Sequence, residues 1–99
     1  MKRRGEALER LQREIVGEKA AALGRAGERL EQALMEEREL AAALLRARGT
    51  ADAERVAREH AAARQRARRA RQALIIQREA LGLRHHAVVD QEFPEPRAP

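Results

Sequence analysis

The sequence contains no cysteine, tryptophan or tyrosine, and Phe93 is its only aromatic residue. The absence of cysteine excludes disulfide bonds and thiolate metal ligands. The apolar content is mostly Ala and Leu, and bulky apolar side chains are scarce between Val56 and Leu74. A short chain with so few bulky groups buries little apolar surface alone, so its fold is only marginally stable. Small proteins of this kind usually gain stability by self-association. We therefore expect a homo-oligomer, with a dimer favoured, or a complex with another protein.

Long apolar runs are also missing. The first residues, MKRRGEALERLQRE, carry charges every few positions, whereas a signal peptide requires an uninterrupted apolar region. No apolar run approaches the roughly 20 residues that span a bilayer. These absences predict a cytoplasmic protein without membrane contact.

Basic residues outnumber acidic ones by 21 to 16, which gives a formal net charge of +5. Such an excess is typical of proteins that bind nucleic acids. An excess of Arg over Lys with abundant Ala is also typical of GC-rich bacterial genes, and this is the explanation we favour. Acidic residues are also spread through most of the chain, so solvated helices of mixed charge are the alternative.

Apolar residues recur at helical spacing in the first half of the chain, and no proline occurs between Glu6 and Arg48. This pattern predicts one amphipathic helix over about residues 5–48. Lys19 and Glu37 interrupt the apolar stripe, either as polar residues that fix the packing register or as markers of its edge. The apolar positions are Leu8, Leu11, Ile15, Ala22, Leu23, Ala26, Leu30, Ala33, Leu34, Ala41 and Leu44.

Gly17, Gly24 and Gly27 lie inside this predicted helix, although each glycine destabilises a helix by roughly 0.5–1 kcal/mol relative to Ala. One explanation is that the helix bends there. The explanation we favour is a smooth strip, formed with Ala20, Ala21 and Ala22, that another backbone approaches closely.

A turn is predicted at RARGTADAE, residues 46–54. Gly49 can end a helix in the left-handed conformation, Thr50 can cap the next helix, and Asp52 and Glu54 favour its first turn. A second helix is expected over about residues 51–81, antiparallel to the first because the connection is so short. Its heptad seam consists of Val56, His60, Ala63, Ala67, Ala70, Leu74, Gln77 and Leu81.

Gly82 is expected to end the second helix, with Leu83 closing over its last turn. The following residues, LRHHAVVDQEF, can form a short helix or an extended arm. Three prolines in the last six residues predict a disordered tail over residues 94–99, after a single domain over residues 1–93.

The second helix is too short to cover the first. Leu8, Leu11, Ile15 and Val16 are therefore left uncovered, and we expect the arm and a second chain both to cover them. From the arm, the contacts are expected through Val88, Val89 and Phe93. The predicted fold is an all-α helical hairpin with a short C-terminal helix or arm, dimerising into a four-helix bundle.

A basic stripe on the second helix has no acidic residue between His60 and Arg78, and it could follow a phosphate backbone. It consists of Arg64, Arg66, Arg68, Arg69 and Arg71. No DNA-reading motif or aromatic stacking platform accompanies it. The favoured alternative is pairing across the hairpin with Glu28, Glu31, Glu36, Glu37 and Glu39.

The sequence predicts no enzyme, cofactor or metal site. Thr50 is its only hydroxyl residue, and the acidic residues lie on solvated helix faces. His60 falls on the packing seam, while His85 and His86 are adjacent and are expected at the surface. We therefore expect a non-catalytic interaction or scaffold protein, with non-specific nucleic-acid binding as the alternative.

Two stretches, EKAAALGRAGERLEQAL and QREALGLR, resemble a small uncharacterised family of bacterial proteins. The resemblance implies an all-helical fold without an assigned activity, and it does not extend to residues between Arg46 and Ala73. It also implies a shared surface made of Glu18, Lys19, Arg25, Gln77, Arg78, Glu79, Gly82 and Arg84.

Overall fold

The computed structural model describes residues 2–96, with side chains from residue 5 onward, as three helices. They are α1 (Lys2–Ala47), α2 (Ala53–Ala80) and α3 (Ala87–Glu92). α1 and α2 pack against each other as the predicted helical hairpin, which is confirmed. The particle measures 74 × 22 × 14 Å because α1 alone is 46 residues long. Over the described residues, no helix is both long and apolar enough to cross a membrane.

The turn between α1 and α2 is centred on Gly49, which has a φ of +77° and so ends α1 as predicted. The Thr50 hydroxyl donates to the Ala47 carbonyl at 2.6 Å and accepts the Asp52 backbone N–H at 3.3 Å. Asp52 is the N-cap of α2, which begins at Ala53. The predicted capping of α2 by Thr50 is therefore wrong, because its side chain is bonded within the turn itself.

The predicted seam of α2 is confirmed. Its buried residues are Val56, His60, Ala63, Ala67 and Leu74. Ala26, Leu30 and Leu34 are buried on α1, and they belong to the same core cluster as Ala67 and Leu74. Alanine at the centre of the seam brings the two helix backbones close together, but each contact buries little area.

α2 ends at Ala80, and Gly82, two residues later, has a φ of +84°. The Gly82 N–H donates to the Glu79 carbonyl at 2.9 Å, and the Leu83 N–H donates to the Arg78 carbonyl at 3.0 Å. Both hydrogen bonds of a Schellman motif are thus present, as predicted. The chain reverses here, and only residues 83–86 separate this turn from α3.

α3 packs on the middle of the hairpin. Val89 is 2% exposed and joins the core cluster of Ala26, Leu30 and Leu34. The predicted contact of this segment with the first turns of α1 is therefore wrong, because the short connection returns the chain directly onto the hairpin. Residues 94–96 follow without helix or strand, and residues 97–99 of the predicted tail lie outside the described residues.

α1 continues through Gly17, Gly24 and Gly27 as one helix. A Cβ atom at any of these glycines would meet nothing within 4 Å. The described residues of the same chain therefore make no close contact at these three glycines. Close packing there requires another molecule and stays a prediction.

Candidate interaction surfaces

The basic stripe of α2 divides into two groups. Arg64, Arg68 and Arg71, which we call the arginine flank, face α3 and the residues that follow it. Arg66 and Arg69 lie exposed outside this contact. The segment over residues 87–96, which covers the arginine flank, is called the arm below.

Arg71 is the centre of this contact. Its Nε donates to the Phe93 carbonyl at 3.2 Å, and its Nη2 pairs with the Asp90 carboxylate. The Arg71 side chain is only 17% exposed. Arginine can serve both acceptors because its planar guanidinium carries several fixed donors.

The rest of the arginine flank follows the end of the arm. Arg68 Nε lies 2.8 Å from Glu95 Oε1, and Arg64 Nε donates to the Pro96 carbonyl at 3.4 Å. The flank therefore binds two carboxylates and two backbone carbonyls of the same chain. Two of these acceptors, on Glu95 and Pro96, lie in the segment that the sequence predicts to be a disordered tail.

The predicted pairing of the stripe with acidic residues of α1 is largely wrong. Arg66 Nη2 lies 3.9 Å from Glu36 Oε2, but the ion pairs found for Arg68 and Arg71 in residues 5–96 are with the arm. The physical reason is that the arm packs against α1 and α2 together. The acidic residues left exposed on α1 include Glu28, Glu31 and Glu39.

A buried polar pair crosses the hairpin at Glu37 and His60. His60 Nε2 lies 2.9 Å from Glu37 Oε1, and the two side chains are 2% and 11% exposed. His60 Nδ1 is buried without a hydrogen-bond partner in this structure. Glu37 thus lies inside the seam opposite His60 and not at the edge of the apolar stripe.

The first turns of α1 form an unpartnered apolar face. Leu8, Leu11, Ile15 and Val16 are 52–61% exposed, and we call residues 5–16 the overhang. Since Glu37 lies opposite His60 and both helices rise equally, Leu81 is level with Val16. α2 therefore ends where the overhang begins.

The residues implied by the family resemblance fall into two places. Lys19, Arg25 and Gln77 line one shallow depression between α1 and α2. At the end of α2, Arg78 Nε lies 3.2 Å from His86 Nδ1, and Glu79 lies 3.6 Å from the other ring nitrogen. Arg84 is exposed beside them, and His86 is half-buried rather than fully at the surface.

Within the described residues, no three His, Cys, Asp or Glu side chains are grouped so that they could hold a metal ion. Family models, curated proteins and solved structures were compared with the chain, and none matches it. The family resemblance therefore stays a prediction. The function is therefore inferred from the overhang and the arginine flank.

Proposed function

We propose that this protein is a non-catalytic helical scaffold that self-associates through the overhang of α1. The observation that carries the proposal is the exposure of Leu8, Leu11, Ile15 and Val16, by 52–61%. Other large apolar side chains are also exposed, but these four fall within nine residues of one helix. Contiguous exposed apolar surface of this kind marks sites of protein association.

The overhang continues the apolar stripe through which α1 packs against α2 in the hairpin. From Leu8 through Ile15 to Leu44, apolar positions recur at steps of three, four or seven residues, so they share one side of the helix. α2 covers this side only as far as the level of Val16. The uncovered part therefore has the shape and chemistry to accept one more helix in line with α2.

A second copy of α1 fits this position in one direction only. In a parallel arrangement, the partner helix would enter the space that α2 already fills. In an antiparallel arrangement, the partner helix leads away beyond the start of α1, and each overhang lies in line with the other copy's α2. We therefore propose an end-to-end dimer instead of the side-by-side four-helix bundle that the sequence predicts.

A contact of this size is expected to be weak. Each copy offers only about three turns of helix, and stable protein interfaces usually bury about 1,200–2,000 Å² in total. The dimer should therefore dissociate on dilution. A concentration-dependent association of this kind suits a scaffold that is assembled and released.

Two further observations support this assignment over its alternatives. The Thr50 hydroxyl, the only one in the chain, is bonded to the Ala47 carbonyl and the Asp52 N–H, which argues against a nucleophilic role. The alternative role in nucleic-acid binding has weaker support, because Arg64, Arg68 and Arg71 already bind the arm. A cytoplasmic location is part of the same proposal.

Light scattering at several concentrations tests the proposal. The wild-type chain should approach the mass of two chains at high concentration, and Leu11→Lys should remain at the mass of one. Leu45→Lys is the matched control, since Leu45 is 64% exposed near the turn, far from the overhang. A single-chain mass for the wild type, or equal loss of association in both variants, would exclude the overhang as the interface.

A further inference from the structure

The arm fills a groove between α1 and α2 with two kinds of contact. Val89 is buried against the core, and Phe93 lies near Leu34 and Met35 of α1. The polar residues that alternate with them, Asp90 and Glu95, pair with the arginine flank. The groove therefore recognises apolar and acidic residues in a segment that begins as the short helix α3 and continues without regular structure.

The chemistry of the groove fits a peptide better than a nucleic acid. Arg71 binds a backbone carbonyl as well as a carboxylate, and Arg64 binds a second backbone carbonyl. A phosphate backbone would use the charge of these arginines but would leave the site of Val89 empty. An acidic peptide with an apolar anchor satisfies both halves of the groove.

The arm is attached to the hairpin by contacts that can open separately. Val89 is its only buried side chain among the residues described, whereas Val88 is 48% exposed and the Asp90 and Glu95 side chains are more than half exposed. The Arg68–Glu95 ion pair is about half exposed on both sides and contributes little to stability, so Val89 and the contacts of Arg71 hold most of the arm. The arm can therefore detach while the seam between α1 and α2 remains closed.

We propose that this groove is a docking site for an acidic peptide of a partner protein, and that the arm is an intramolecular occupant which the partner peptide displaces. The partner segment carries apolar, acidic, aromatic and acidic residues at the spacing of Val89, Asp90, Phe93 and Glu95. This surface is separate from the overhang. Peptide binding in the groove is therefore independent of self-association through the overhang.

The test measures binding of a fluorescent peptide with the sequence of residues 87–96 to full-length chains. Val89→Ala/Phe93→Ala frees the groove and should bind the peptide about tenfold or more tightly than the wild type, because the arm no longer competes. Adding Arg68→Gln and Arg71→Gln should remove that gain. Val88→Ala, which changes an exposed side chain of the same helix, should bind like the wild type.

Two further probes define the ligand. A peptide that keeps only the four patterned residues should bind the freed groove, and a scrambled peptide of equal charge should not. Equal binding of the scrambled peptide or of a duplex DNA would identify a general polyanion surface and overturn the proposal. Failure of every peptide to bind would do the same.

A second variant guards against a folding defect. Asp90→Asn/Glu95→Gln loosens the arm without touching Val89 or Phe93, and it should also raise peptide affinity while helicity stays unchanged. Hydrogen exchange in the wild-type chain should show faster exchange at Val89 and Asp90 than at Ala67 in the seam. Equal protection would show that the arm is a fixed part of the core and would contradict displacement.

Discussion

His60 Nε2 lies 2.9 Å from Glu37 Oε1 inside a seam whose other buried residues are apolar. The two residues meet only when α1 and α2 pack in the observed register. A shift by one turn would leave two buried polar groups unpaired, at a cost of about 1–3 kcal/mol each. The pair therefore selects the register that an alanine-rich seam specifies only weakly.

Replacing one residue of the Glu37–His60 pair should destabilise the fold more than replacing both. Glu37→Leu leaves His60 buried without its acceptor and should lower the free energy of unfolding by about 1–3 kcal/mol. Glu37→Leu/His60→Leu should recover most of this loss, because an apolar pair needs no hydrogen bond. Urea unfolding followed by circular dichroism, at one fixed protein concentration, measures both changes.

The matched control for this pair is Glu37→Gln, which keeps an acceptor oxygen for His60 and should be less destabilising than Glu37→Leu. If Glu37→Leu leaves stability unchanged, the pair has no part in holding the hairpin. If the double variant is the least stable of the three, apolar replacement does not compensate as expected.

The glycines of α1 should tolerate a side chain. Gly24→Ala and Gly27→Ala add a Cβ that meets nothing within 4 Å, so each should raise the free energy of unfolding by roughly 0.5–1 kcal/mol. Gly82→Ala should have the opposite effect, because a φ of +84° disfavours any side chain. This substitution should lower the free energy of unfolding by about 1 kcal/mol or more. Thermal unfolding of the three variants provides the comparison.

The result at Gly24 also bears on association. If Gly24→Ala weakens self-association, a second molecule packs against the glycine strip, as the sequence suggests, and the proposed end-to-end contact is incomplete. Light scattering on the same samples distinguishes this outcome from a simple gain in stability.

Substitution of Arg71 by Gln should affect stability more than substitution of Arg69 by Gln, although each removes one positive charge. Arg71 is 17% exposed and bonded to Asp90 and the Phe93 carbonyl, so Arg71→Gln should lower stability by about 1–2 kcal/mol. Arg69 is exposed, and Arg69→Gln should stay within about 0.5 kcal/mol of the wild type. Equal effects of the two substitutions on urea unfolding would show that the arm contact contributes nothing beyond net charge.

The hairpin could be predicted because its signals are local and repeated. A heptad seam over eight positions identifies the buried side of α2, and Gly49 and Gly82 mark the helix ends through the backbone conformation that glycine alone adopts readily. The overhang follows from the unequal helix lengths. Each of these features depends on residues close together in sequence.

The partners of the arginine flank could not be predicted in the same way. Asp90 and Glu95 are ordinary acidic residues near several prolines, and their placement depends on how the Gly82 turn directs the chain onto the hairpin. The sequence pattern that indicates this contact is the alternation of Val89 and Phe93 with these acidic residues. The sequence shows Glu37 as an interruption of the apolar stripe and His60 as a seam residue, but the contact between them depends on the register of the hairpin.

The proposed end-to-end dimer is tested most directly by small-angle X-ray scattering of the wild-type chain at high concentration. One chain is 74 Å long, so two chains that share only their overhangs should have a maximum dimension of about 125 Å at the mass of two chains. A two-chain particle of roughly the single-chain length would instead indicate a side-by-side four-helix bundle. That result, or a one-chain mass at every concentration, would contradict association through the overhang.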